Sequence, residues 1–248
     1  VSADAPASPF VPEYRALSVG IFALIVCIAF EFMAVATALP VAARELGGLD
    51  LFAWALTGFL GAALFANGVA GELSDRVGPR LPLLAGVGAF AAGLVVSGTS
   101  ASMPMLIAGR VIQGLGAGFA IVAVYVVIAN CYPERTRPQV MSLIATAWVV
   151  PSVVGPFIAG GLTELVSWRW AFLSIAPFVL VPLLIVVPRV TAPVASTVRR
   201  SGRVGLAAAM AGGAAALQWS GLQAEDARWF AAAVALAVGL GLVLLAAR

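Results

Sequence analysis

Eight apolar runs follow one another along this chain, at about 17–40, 52–71, 81–98, 103–130, 139–163, 170–188, 204–222 and 228–247. Each is bounded by charge, Gly or Pro, and each comes close to or exceeds the ~20 residues a helix needs to cross the hydrocarbon core of a bilayer. A backbone in lipid has to satisfy its own hydrogen bonds, so runs of this length are confined to helices. Charge closes off the soluble alternatives. Of the 248 residues 62% are hydrophobic and only 10% charged, against about half and about a quarter in an ordinary soluble domain. The expected fold class is an all-α polytopic membrane protein.

The basic residues orient the spans. All 14 are arginine. With the N-terminus inside, the inner segments carry Arg15, Arg76, Arg80, Arg135, Arg137, Arg189, Arg199, Arg200 and Arg203, and the outer ones only Arg44, Arg169 and Arg228. This bias places both termini in the cytoplasm, and the even number of spans agrees with it. A net charge of +3 spread over short loops is no footprint for nucleic acid. Cys27 and Cys131 lie in or at the end of apolar runs and read as small buried thiols. With no histidine and no clustered thiolates, no metal site is expected. Residues 1–15, rich in Ala, Pro and Ser, read as a disordered cytoplasmic tail; they lack the basic n-region and cleavage site of a signal peptide.

Two ionisable residues lie deep within spans. At about 1.5 Å per residue, Glu31 stands roughly 21 Å above the inner start of the first run, and Arg110 roughly 18–20 Å above the inner boundary of a ~30 Å core. Their depths agree, and such residues usually face a bundle interior and pair with one another. Pairing with Arg110 favours the charged carboxylate while desolvation favours the protonated one, which leaves Glu31 able to exchange protons. A purely structural buried pair is the alternative. Asn67, Gln113 and Tyr125 either line a cavity or hydrogen-bond across helices. Trp148, inside the fifth run, is either a substrate-facing ring or core packing, whereas the other tryptophans sit near span ends, as interfacial belts require.

Several segments carry a recognisable order. Gly71-Glu72-Leu73-Ser74-Asp75-Arg76-Val77-Gly78-Pro79-Arg80 reads as a short charged loop between the second and third runs, in which Asp75 approaches a helix end and Arg76 and Arg80 are placed to pair with it. This segment resembles the signature loop of the major facilitator superfamily at Gly71, Leu73, Asp75, Arg76, Gly78 and Arg80; Pro79 stands where the family usually has a basic residue. Arg110 to Ala117 resembles the family's fourth-helix motif, with Gln113-Gly114 at its centre. Pro151 to Gly161, with Gly155-Pro156 and Gly160-Gly161, is similar to the fifth-helix motif of antiporters. Glu31 to Pro40 resembles the first-helix motif of drug:proton antiporters, with Glu in place of the usual Asp. Trp168-Arg169-Trp170 is similar to the sixth-helix entrance of the fourteen-helix subgroup.

The resemblance implies a six-helix N-terminal bundle over 16–188, a cytoplasmic linker over 189–203 and two further helices over 204–248, in the cell's inner membrane. It implies a cytoplasmic latch at Gly71, Asp75, Arg76, Gly78 and Arg80, and coupling or substrate binding at Glu31, Arg110 and Gln113. The implied activity is proton-coupled efflux of an amphipathic or cationic small molecule. No cofactor is expected beyond the proton gradient. Metabolite uptake or exchange, and a non-transporting scaffold or sensor, remain alternatives. Alternating access needs two bundles around one site, so a missing C-terminal bundle or a second chain is expected as partner. Catalysis is not expected: there is no histidine to pair with a nucleophile and no phosphate-cradling loop.

Overall fold

The computed structural model describes residues 8–190, together with Gly205, Gly212 and Gly213. The linker and the last two expected helices lie almost wholly outside the described residues. The described part is helical throughout: α1 (Pro12–Glu45), α2 (Phe52–Val77), α3 (Arg80–Gly98), α4 (Met103–Cys131), α5 (Arg137–Leu165), α6 (Trp170–Leu173) and α7 (Ile175–Val186). A 3-10 turn at Leu49–Leu51 leads into α2, and α6, α7 and Val187–Arg189 together make one crossing, giving six helical spans long and apolar enough for a membrane. The sixth span breaks at Ser174. Pro177 supplies the reason, since it has no N–H to give the Leu173 carbonyl four residues back.

Two boundaries differ from the sequence expectation. α1 begins at Pro12, within the segment expected as a tail, and Pro suits the first turn because its missing N–H has no intrahelical partner there. Ser18 Oγ donates to the Pro9 carbonyl at 2.6 Å, and the Tyr132 hydroxyl bonds Ser18 Oγ at 2.8 Å. The entering chain is thus fastened to the end of α4, and burial raises the Tyr132 hydroxyl above its ordinary range. The second difference is the expected latch loop. Gly71, Asp75 and Arg76 lie within α2, and the loop is reduced to Gly78-Pro79. Charge alone does not stop a helix that has left the bilayer; an ion pair between Arg76 and Glu72, one turn apart, supports it. The stop comes at Gly78, whose φ of 81° suits glycine.

α3 and α2 pack along α4, while α5 and α7 pack along α1. The glycines of α4 make its two contacts close. A methyl group on Gly118 would stand 2.5 Å from the Ala63 carbonyl of α2, and one on Gly109 would stand 2.7 Å from the Ser97 nitrogen of α3. Gly114 likewise meets Phe59 of α2, and Gly116 meets Phe90 of α3. In lipid such small-residue contacts let dispersion forces hold helices together. Of the fifth-helix motif, Pro151, Gly155 and Pro156 lie within α5, and a methyl group on Gly155 would stand 3.0 Å from the Met33 side chain of α1. A methyl group on Gly160 would lie in ordinary contact with Thr37 at 3.9 Å, and one on Gly161 would meet none of the described residues within 4 Å. Large apolar side chains are exposed on the outer faces, Phe157 of α5 at 80% and Leu184 of α7 at 74%. A soluble globule hides such side chains; a membrane bundle presents them to lipid or to a neighbouring bundle.

Candidate functional site

α1 carries a buried stripe at Leu24, Ile28, Glu31, Val35, Ala38 and Ala42, recurring every three or four residues. Glu31 takes the middle position of that stripe and is fully buried. α4 carries the facing stripe, Leu106, Arg110, Gln113, Ala117, Ala120 and Val124. In each helix polar side chains occupy slots that the period reserves for the core. Burial there is costly unless the groups satisfy one another.

They do so on one side. Arg110 Nη1 makes an ion pair with Glu31 Oε1. Gln113 Nε2 donates to the same oxygen at 3.0 Å, and Gln113 Oε1 accepts from Arg110 Nη1 at 3.2 Å. Arg110 Nε reaches the Ala55 carbonyl of α2 at 3.4 Å, and its guanidinium lies 4.2 Å from the centroid of the Phe59 ring, a cation–π contact. From α3, Ser97 Oγ donates to Gln113 Oε1 at 3.1 Å. Four helices therefore contribute to the cluster, with α4 bonding the α1 carboxylate and α2 and α3 holding the α4 side chains. The second carboxylate oxygen, Glu31 Oε2, is buried and takes no hydrogen bond from any of the described residues. An ionised oxygen without a donor is an expensive thing to bury, and the addition of a proton or of a cationic donor relieves that cost.

The expected site residues divide sharply. Glu31, Arg110 and Gln113 come together. Trp148 is half-buried and stands edge-on to Phe32 at 6.3 Å, and Phe32 lies 6.1 Å from Phe59, so a row of rings leads from α5 to Arg110. Asn67 and Tyr125 are exposed. Tyr125 lies fifteen residues along α4 from Arg110, about 22 Å at the helical rise, and neither residue belongs to this cluster. The latch residues sit at the α2–α3 end, where Asp75, Arg76 and Arg80 are exposed.

A second cluster departs from the sequence expectation. Trp168, expected in an interfacial belt, is 1% exposed. Its Nε1 donates to Glu45 Oε2 at 2.9 Å, while Arg169 Nη1 pairs with Glu45 Oε1 at 2.6 Å and Nη2 donates to the Ser100 carbonyl at 3.3 Å. This knot ties the end of α1 to the turn between α3 and α4 and to the entry of α6. Ser97, Phe59 and the Ala55 carbonyl join the site without any mark in the sequence. What distinguishes Ser97 is its place opposite Gly109, and that contact is visible only in three dimensions.

The Major Facilitator Superfamily profile matches residues 21–247. An acurin A biosynthesis cluster MFS-type transporter of Aspergillus aculeatus is 33% identical over 156 residues, 63% of this chain and 28% of the relative. The multidrug efflux pump SdrM of Staphylococcus aureus is 29% identical over 173 residues, 70% of this chain and 39% of the pump. The human organic anion transporter MFSD10 (TETRAN) shares the fold with a TM-score of 0.61 at 20% identity, over 85% of this chain and 56% of that one. The chain spans well under half the length of these two curated relatives.

Proposed function

The chain belongs to the major facilitator superfamily, a family of multi-pass membrane transporters rather than enzymes, and we propose that it supplies the proton-coupling bundle of an efflux antiporter. The observation that carries this reading is the buried Glu31 Oε2, which no described residue hydrogen-bonds, beside an otherwise satisfied Glu31–Arg110–Gln113 cluster. A carboxylate in that position takes either a proton or the positive group of a substrate, one excluding the other. That exclusion is the chemical minimum for exchanging protons against a cationic or amphipathic molecule. The small-molecule site then lies beside α1 and α4 and is completed by a second bundle, as alternating access requires. The arginine distribution supports a cytoplasmic side for both ends of this chain, and the likeness to a staphylococcal multidrug pump supports efflux.

Everted membrane vesicles containing the full-length protein test this. With an acid interior established, adding the lipophilic cation tetraphenylphosphonium dissipates the pH gradient as protons leave in exchange, and the cation accumulates inside. Accumulation that survives collapse of the gradient by nigericin contradicts the proposal and points to exchange or uptake.

A further inference from the structure

Gln113 contacts the coupling acid, but its amide is oriented by something else. An amide presents either a donor or an acceptor to its neighbour, and only the donor end favours a charged carboxylate. Gln113 Oε1 is held by two donors, Arg110 Nη1 at 3.2 Å and Ser97 Oγ at 3.1 Å, and this directs Nε2 onto Glu31 Oε1 at 3.0 Å. Arg110 is itself committed to the carboxylate whose charge is in question. Ser97 is the donor in this set that does not touch Glu31.

Ser97 is fully buried and firmly placed. Its backbone nitrogen lies where only a glycine opposite fits, since a methyl group on Gly109 would come within 2.7 Å of it. Its carbonyl accepts from Ser100 Oγ at 2.8 Å, and the Ser100 carbonyl accepts from Arg169 at 3.3 Å. The Glu45–Arg169 knot therefore anchors the turn that carries Ser97. Resting on the coupling role proposed for Glu31, we infer that Ser97 is a positioning residue that tunes the competition between proton and substrate at Glu31, acting through the Gln113 amide.

The sign follows from the geometry. A hydrogen bond to Oε1 polarises the amide and strengthens the Nε2–H donor facing the carboxylate. Removing it weakens the support of the charged acid, so protons compete more strongly with a cation. Among the described residues, Arg110 is the ionised side chain that pairs with Glu31. Phe59 of α2 covers that guanidinium, and α5 and α7, which pack on α1, contribute no described ion pair to the carboxylate.

The test is equilibrium binding of tetraphenylphosphonium to the purified full-length protein across pH, with folding checked by gel filtration and thermal unfolding. Ser97→Ala is expected to strengthen proton competition about fivefold, the equivalent of a hydrogen bond of about 1 kcal/mol, moving the loss of binding to higher pH. In a Gln113→Leu background the same substitution has no further effect on the profile, which a merely structural serine does not predict. An unchanged profile for folded Ser97→Ala, or an equal shift in both backgrounds, overturns the role of Ser97 while leaving that of Glu31 standing. A profile equally indifferent to Glu31→Gln overturns the coupling reading itself.

Discussion

Glu31→Gln in the full-length protein abolishes gradient-driven transport, bringing concentrative flux to background, while the protein remains folded and abundant. Gln keeps an oxygen to accept from Arg110 but neither binds nor releases a proton. It is a permanent copy of the protonated acid. The cycle itself passes through a neutral Glu31 beside Arg110, so the fold has to tolerate that state. The guanidinium keeps the Gln113 oxygen, the Ala55 carbonyl and the Phe59 face. With these partners and the Gln oxygen kept, the stability cost is expected below the about 3–5 kcal/mol of a fully uncompensated buried charge, near that of one hydrogen bond to a charged group, about 1.5–3 kcal/mol. Flux in everted vesicles and thermal unfolding in detergent are measured on the same preparations. Undiminished proton-driven flux in the variant removes Glu31 from the mechanism.

Arg110→Ala has the opposite character. It strips the carboxylate of its ion pair while leaving it in a dry core, and breaking a buried pair in this way costs about 3–5 kcal/mol. The expected result is a marked loss of folded protein, with a melting temperature lower by roughly 10 °C. Replacing both partners with apolar side chains, Glu31→Leu with Arg110→Met, removes the unpaired charge and is expected to recover most of the stability without restoring transport. That recovery separates what the pair does for folding from what it does for coupling. A stable single Arg110→Ala variant would mean that Glu31 takes up a proton once its partner is gone, or that solvent reaches it.

Helical rise and apolar pattern make much of this site legible in the sequence. Both quantities are local, so counting residues from each span end places Glu31 and Arg110 at one depth, and the three-residue spacing sets Gln113 on the same face of α4. Ser97 has no such signal. A serine near the end of an apolar run is ordinary, and its importance comes from the close approach of α3 to α4 at Gly109. Trp168 misleads for a related reason. Its position near a span end suggests an interface, but its burial depends on Glu45 arriving from α1, more than a hundred residues earlier in the chain. The latch segment reads as a loop because charged residues mark the edge of the bilayer, not the end of a helix. In α2 those two places differ, and Gly78 sets the second.

The central claim is that one carboxylate, Glu31, holds either a proton or a cation. Proton release on ligand binding tests it most directly. In weakly buffered detergent solution, tetraphenylphosphonium added to the protonated full-length protein is expected to release about one proton per cation bound, and Glu31→Gln is expected to release none. Cation binding without proton release, or equal release from the Glu31→Gln variant, would contradict it.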